Sequence, residues 1–337
     1  MDVGKSRGKG IESFVLEILK RKGGFVSGQD ISERLGVTRA AVWKHVCSLR
    51  KAGYEIKSTT NKGYKLVGTP DLLSADEISE GLKTVLIGRD VVYFDSTSST
   101  NDRAKEIAAS GAREGTVVAA GRQTEGRGRF GKKWLSDSDG GIYASVILRP
   151  EAPAADIARI TLIAGLAVCA AIRSITLADA GIKWPNDIVI NGRKVCGILA
   201  EMSAEAEHID YLVVGIGINV NDESFADEIS DRATSLHIET GERISRKTIL
   251  HGVLANLEKY YLRYLNDPDG AKSVLEEYRK YCVTIDSNIS AEWHGGRIEG
   301  KACDISDTGG LVIQTSGGEM ITVYSGEVSV RGVLGYV

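Results

Sequence analysis

Three contrasting patterns predict a mixed α+β, α/β chain of several modules. The first 66 residues are basic and helix-patterned, the middle alternates strand and helix patterns, and the tail holds short β-rich runs between glycine turns. The expected architecture is an N-terminal winged helix-turn-helix (residues 1–66), a linker (67–73), a central mixed-sheet domain (74–281) and a small C-terminal β-barrel (282–337). A length of 337 residues suits two or three such domains better than one core.

In the first module, Ile11, Val15, Ile18 and Leu19 form a helical stripe. Ser27 starts a second helix through Leu35, which Gly36 closes. Thr38 caps a third, on which Val42, Val46 and Leu49 recur at helical spacing and which Gly53 ends. The joint at Gly36-Val37 makes a helix-turn-helix, and Tyr54 to Lys57 with Tyr64 to Leu66 flank residues 58–63 as a wing. This module carries fourteen Lys and Arg against six Asp and Glu, a balance of +8, while the whole chain is at −3, leaving −11 for the rest. A basic module before an acidic body suggests nucleic acid at one end and a different partner at the other. Thr38, Arg39, Trp43 and Lys44 on the recognition helix are the candidate DNA contacts, with Lys62 on the wing beside Lys57 and Lys65. Docking on protein is the competing reading, and the exposed cations weigh against it.

Gly68-Thr69-Pro70 marks the linker. Next come a strand Val91 to Phe94, a helix Asn101 to Ser110, strands Thr116 to Ala120 and Ile142 to Leu148, and a long helix Ala154 to Leu177. The 183–199 hairpin, a strand Tyr211 to Ile218, and helices Arg246 to Leu265 and Ala271 to Tyr281 complete the domain, with mixed pairing in its sheet. In the tail, Gly310 to Gln314, Met320 to Tyr324 and Glu327 to Val330 are strands.

Two segments carry the chemistry. Gly126-Arg127-Gly128-Arg129-Phe130-Gly131-Lys132-Lys133-Trp134 joins bare backbone, cations and an aromatic ring, a mixture suited to a phosphate ester bearing a flat base. Alone, such a run is as readily a solvated or RNA-binding loop. The second is Lys183-Trp184-Pro185-Asn186-Asp187, followed by Asn191-Gly192 and Arg193-Lys194-Val195-Cys196-Gly197. With Asn191-Gly192 as a two-residue turn, Ile190 pairs with Arg193 and Val189 with Lys194, so Asp187 and Lys194 share a face and lie diagonally close. An ion pair on a wet sheet face is the bland alternative; together with the basic loop, catalysis is favoured.

Several classes are excluded. Cys47, Cys169, Cys196, Cys282 and Cys303 are scattered without metal or redox spacing, and Cys196 alternates away from the neighbours of Lys194 and reads as a small core residue. The five histidines stand singly, with no His-Glu-x-x-His pattern. Gly4-Lys5-Ser6 lacks the earlier glycine of a phosphate-binding loop. No continuous apolar stretch is long enough for a bilayer, the run Ile160 to Ile172 reading as a buried helix, and the N-terminus has no signal-peptide core. The expected location is cytoplasmic.

The glycine and arginine loop and the Lys183 to Asp187 segment, at this order and separation, resemble the biotin protein ligases. Ser99-Thr100-Asn101, Gln123, Gly215-Ile216-Gly217-Ile218-Asn219 and the Lys194 segment resemble the family's other motifs, so the likeness spans the catalytic domain. Lys132 departs from it, since many members carry a second arginine there, and lysine loses the bidentate geometry. The resemblance implies a biotin–[acetyl-CoA-carboxylase] ligase that forms biotinyl-5′-AMP from biotin and ATP with Mg2+ and transfers biotin to a lysine of a carboxylase carrier domain. It implies Lys194, Arg127 and Arg129 as catalytic residues. Biotin would contact Ser99, Thr100, Asn101, Gln123 and Gly128 besides those three, although Ser99 or Thr100 could equally cap a helix. The nucleotide would be held by Arg129, Trp134, Lys183, Asn186, Asp187 and Asn219, with Asp187 also on the metal; Trp184 is as readily core as contact. With the winged helix, the resemblance further implies a repressor of biotin synthesis or uptake genes that dimerises on operator DNA with the adenylate as corepressor, and an SH3-like tail barrel. A ligand-responsive repressor with an inactive ligase module, and a lipoate-type ligase, remain the alternatives.

Overall fold

The computed structural model describes residues 10–136, 138–153, 156–205, 208–293, 296–324 and 327–330. Gly4-Lys5-Ser6, Ala154 and His294 lie outside the described residues. The chain divides into two compact units, Met1–Asp71 and Leu72–Val337, the division falling inside the 67–73 segment.

In the first unit, α1 (Ile11–Lys22), α2 (Gly28–Leu35) and α3 (Arg39–Lys51) precede a two-stranded wing, β1 (Glu55–Thr59) and β2 (Gly63–Gly68). The caps follow the sequence: Ser27 Oγ accepts from Asp30 N, Thr38 Oγ1 accepts from Ala41 N, and Gly36 ends α2 at φ 65°. The third helix stops at Lys51 with Ala52 as its cap, so Gly53 belongs to the turn after it. Val15, Leu19, Val26, Ile31, Val42, Val46, Leu49, Tyr54 and Ile56 make a core of this unit's own. Arg50 ties α3 to the wing, donating to Ile56 O (2.9 and 2.6 Å) and Ser58 Oγ (2.6 Å). Gly63 is required by close approach, since a Cβ would lie 2.0 Å from Val26 O.

The second unit holds α4 (Ala75–Ser79), β3 (Val91–Thr97), α5 (Thr100–Ala109), β4 (Val117–Gln123), β5 (Ile142–Leu148), α6 (Ile157–Thr176), β6 (Gly181–Lys183), β7 (Asp187–Ile190), β8 (Arg193–Glu205), β9 (His208–Ile218), α7 (Leu236–Thr240), α8 (Arg246–Asn266) and α9 (Gly270–Tyr281). Its seven-stranded sheet runs β3-β4-β5-β9-β8-β7-β6. Only β3 and β4, linked by the α5 crossover, pair in parallel, and the remaining pairs are antiparallel. Both parallel strands run past the apolar alternation, pairing Ser96 with Arg122 and Thr97 with Gln123. These polar ends reach the site described below. The short α4, β6 and α7 are too brief to show a period, and the sequence pattern does not reveal them.

Side-chain alternation sorts the sheet into two faces. Val117, Ala119, Val146, Leu148, Leu212 and Val214 share a core with α6, α8 and α9, whereas Val118, Ile147 and Val213 pack against Ala104 and Ala108 of α5. The central helix corrects the apolar-run expectation. At 20 residues α6 is long and apolar enough to cross a membrane, because Ile157, Ala158 and the turn after Ile172 extend it, but 61% of its apolar window is buried as the helix at the centre of this core.

The tail comprises β10 (Asn288–Trp293), β11 (Gly296–Ile305), β12 (Leu311–Thr315), β13 (Met320–Val323) and β14 (Glu327–Val330). As expected of a small β domain, these form an antiparallel sheet in the order β13-β12-β11-β10-β14 among the described residues. The tail is not a separate compact unit. Ile289, Ala291, Leu311 and Ile313 join the main core, Trp184 Nε1 donates to Gly309 O (3.1 Å), and Trp184 N donates to Thr284 Oγ1 (2.9 Å). Trp184 is therefore a core residue that shows one edge to the site.

Candidate active site

The site occupies the sheet face that α5 leaves uncovered. Along β9 this face reads Val213, Gly215, Gly217: Val213 packs against Ala104 and Ala108 of α5, and Gly215 lies at Asn101 in the helix's first turn. The glycines are a floor without side chains: a Cβ on Gly215 would lie 2.2 Å from Asn101 Oδ1, and one on Gly217 2.5 Å from Trp134 Nε1. Gly197 of β8 continues the floor, where a Cβ would lie 3.0 Å from the same indole. Glycine every second residue along a strand is the readable signal for this floor, which the sequence shows as a motif without revealing its role.

At the head of α5 a polar cluster fills one end. Gln123 Oε1 accepts from Thr100 N (2.8 Å) and Thr100 Oγ1 (3.1 Å), while its Nε2 donates to Ser136 Oγ (3.0 Å). Ser145 is wholly buried and donates to Thr100 Oγ1 (2.8 Å) and Asn101 Oδ1 (2.7 Å); lying in an ordinary strand context, it escapes sequence reasoning. Asn101 Nδ2 in turn donates to Glu201 Oε2 (2.7 Å) and Leu199 O (3.2 Å), so its polar atoms are engaged within the protein. Ser99 sits at the cap position, and its hydroxyl makes no capping hydrogen bond.

The Gly126 to Trp134 loop closes on itself: Trp134 N donates to Gly126 O (2.9 Å) and Gly128 N donates to Lys132 O (2.7 Å). Gly126 must be glycine, as a Cβ would lie 2.4 Å from Trp134 O. This folding lays the indole of Trp134 over Gly197 and Gly217, with Lys194 Nζ 5.4 Å from its ring centre. Arg129 Nη1 donates to Asn186 Oδ1 (3.1 Å). Arg127 forms an ion pair with Asp102, which Lys105 also contacts at 3.1 Å. Partial burial opposes ionisation of Asp102, but the hydrogen bonds and charges of Lys105 and Arg127 outweigh it and hold the carboxyl below its ordinary pKa.

The hairpin has the expected register, Ile190 opposite Arg193 and Val189 opposite Lys194, around Asn191 (φ 49°) and Gly192 (φ 72°). Beyond it a bulge sets Ile188 opposite Cys196 and Asp187 opposite Gly197. Unbroken alternation would have put Cys196 on the face of Lys194; the extra residue, Val195, turns it into the core instead. Burial raises the Cys196 thiol far above its ordinary pKa, which removes it as a nucleophile. Lys194 Nζ lies 2.6 Å from Asp187 Oδ1, and Asp187 is buried.

Two cavities meet here. The smaller, about 50 Å³, is lined by Ser99, Thr100, Asn101, Gln123, Arg127 and the glycine floor. The larger, about 430 Å³, is lined by Lys183, Asp187, Asn219, Phe225, Ile229 and Arg232 among others. Gly128, Arg129, Trp134, Asn186 and Lys194 line both. The larger cavity carries Arg129, Lys132, Lys133, Lys183, Lys194 and Arg232 around one carboxylate, Asp187, among the described residues. Such a chamber attracts a polyanion. No group of three or more His, Cys, Asp or Glu among the described residues is arranged for a metal ion. One carboxylate beside phosphate oxygens is nevertheless an ordinary donor set for Mg2+. Phe225, Ile229 and Arg232 escape sequence reasoning because they sit in an irregular segment with no motif.

Gly215→Ala is expected to displace the Asn101 amide, which its hydrogen bonds to Ser145, Glu201 and Leu199 keep from turning aside, and to weaken binding of the small cavity's ligand, biotin on the resemblance, by about tenfold or more. Calorimetric titration of the folded variant checks this, and unchanged affinity would sever Asn101 from the small cavity.

In the first unit, Arg39, Lys44 and Lys62 are exposed, and Trp43 is 59% exposed. Thr38 is exposed as well, its hydroxyl serving the cap.

Comparison with known proteins agrees with both halves. Residues 93–219 match the Biotin/lipoate A/B protein ligase family, residues 12–65 an HTH domain, and residues 284–331 the Biotin protein ligase C terminal domain. The Bifunctional ligase/repressor BirA of Bacillus spizizenii is 42% identical over 93% of this chain and 97% of that protein, and its Escherichia coli namesake is 28% identical over 93% and 95%. The biotin protein ligase of Aquifex aeolicus, solved in complex with biotin and ATP, superposes with a TM-score of 0.63 at 33% identity, covering 73% of this chain and all of that one. With identity at this level along nearly its whole length, a helix-turn-helix unit ahead of the ligase fold and a cationic chamber on its sheet, the chain belongs to the bifunctional ligase/repressor family of biotin protein ligases.

Proposed function

We propose that the small cavity takes the ring system of biotin and the large one ATP, so that the biotin carboxylate meets the α-phosphate between Lys194 and Arg129. The observation that supports this most is the set of residues common to both cavities, Lys194 and Arg129 among them. Ser99, Thr100, Asn101 and Gln123 would receive the ureido group, and the glycine floor leaves room for the bicycle once the Trp134 ring shifts toward the nucleotide. Lys183, Asn186 and Asn219 would hold the nucleotide, with Trp134 against adenine.

A carboxylate oxygen attacks the α-phosphorus and pyrophosphate leaves, giving biotinyl-5′-AMP. The ε-amine of an acceptor lysine then attacks the acyl carbon, forming an amide, releasing AMP and losing a proton. No enzyme nucleophile is needed in either step. Lys194, Arg129 and Arg127 bring two repelling anions together and stabilise charge gathering on phosphate oxygens, while the 126–134 loop excludes water. Asp187 would hold Mg2+, which screens the phosphates when bound. Lys194, which pairs with Asp187, would hold the biotin carboxylate.

The acceptor is the carrier domain of acetyl-CoA carboxylase or another biotin-dependent carboxylase, and the setting is the cytoplasm. The adenylate acts as corepressor: it orders the site loops and favours a two-fold dimer whose paired winged helices read a palindromic operator through Arg39, Trp43, Lys44 and Lys62. Acceptor and second protomer compete for the adenylate-bound protein. Dimerisation in sedimentation and operator binding are expected to strengthen together with biotin plus ATP and to reverse with excess acceptor. Adenylate without effect on either would overturn the corepressor reading.

A further inference from the structure

Glu239 lies on α7, outside both cavities, yet its side chain is only 4% exposed. Three donors from two other segments converge on its carboxylate. Asn191 Nδ2 donates to Oε2 at 2.6 Å, while Arg193 Nη2 and Thr234 Oγ1 donate to Oε1 at 2.7 and 2.5 Å. Asn191 and Arg193 flank the turn that delivers Lys194. Thr234 follows Arg232 and Ala233, which wall the larger cavity.

The main chain repeats this junction. Lys194 N donates to Arg232 O (2.8 Å), Thr234 N donates to Lys194 O (2.9 Å), and Asn219 Nδ2 donates to Thr234 O (3.0 Å). A buried carboxylate is tolerated only when charge and hydrogen bonds compensate it, and here the compensation comes from the two segments that must keep their spacing. We propose that Glu239 is a positioning residue for the nucleotide half of the site. The 191–193 turn is already held by the β7–β8 pairing, so the carboxylate locks the 232–234 segment to it and sets how far the wall of Ile229, Arg232 and Ala233 stands from the rest of the larger cavity. The inference rests on ATP occupying the larger cavity. The polar cluster of the small cavity is carried by α5 and β4, which Glu239 does not touch.

Two variants of the full chain test it. Glu239→Gln keeps the volume but loses the charge and one acceptor; Thr234→Val removes one arm without stranding a charge. Pyrophosphate release is measured with ATP varied at saturating biotin, beside calorimetric biotin affinity and thermal melting. KM for ATP is expected to rise about tenfold in Glu239→Gln and about threefold in Thr234→Val, with kcat within about twofold and biotin affinity unchanged. A folded Glu239→Gln with the parental KM for ATP overturns the proposal, as does an equal loss of biotin affinity and kcat, which marks general destabilisation. If Glu239→Gln does not fold, Thr234→Val decides alone by the same criteria. Failure of the underlying reading shows separately, as an unmodified chain whose pyrophosphate release does not saturate with ATP.

Discussion

Lys194→Ala is expected to slow pyrophosphate release at saturating biotin on the order of a thousandfold, about 4 kcal/mol of transition-state stabilisation. The ammonium is common to both cavities and sits 2.6 Å from Asp187; Arg129, the other cation lining both, is engaged with Asn186 and does not replace it. Truncation also leaves the Asp187 carboxylate buried without its partner. The resulting loss of stability is about 3 kcal/mol or less, because the pair retains some solvent. Rates are therefore compared well below the variant's melting temperature. Arg127→Ala is expected to cost less, about a hundredfold, since Asp102 already neutralises that guanidinium and its release must precede any contact with substrate. A Lys194→Ala protein at the parental rate would remove the junction assignment altogether.

Removing residues 1–71 is expected to abolish operator binding while leaving ligation largely intact. The first unit has a core of its own, and the residues of the main core begin at Leu73. Neither core is opened by the cut. The deleted part carries the exposed Arg39, Trp43, Lys44 and Lys62, so the intact chain should also lose DNA affinity steeply with salt, at a log–log slope near about −0.9 per phosphate neutralised. Filter binding of both proteins across a salt series checks both statements. Operator affinity retained by the truncated chain would contradict the division of labour.

The helix-turn-helix is legible in the sequence because its signals are local. Ser27 and Thr38 cap the helices they are expected to cap, Gly36 closes α2, and the buried stripe of α3 is the one its spacing predicts. The Asn191-Gly192 hairpin is legible for the same reason: turn chemistry sets register, and register brings Asp187 and Lys194 together. Other features are hidden from any local reading. The bulge at Val195 depends on how β8 meets β7, and it alone turns Cys196 inward. The β pattern of the tail marks it off from what precedes it, but only packing shows that Trp184 and the apolar residues of β10 and β12 join it to the main core.

The sequence by itself determined the helix-turn-helix, many of the other local elements and the chemical kinds in the site, because caps, turns and periodicity act within a few residues. Tertiary structure alone decided which of those residues share a cavity, that Gly197 and Gly217 lie beneath Trp134 with Gly215 against Asn101, and that Glu239 joins two distant segments. Those relations link residues far apart along the chain and arise from strand order and packing, which no short stretch of residues encodes.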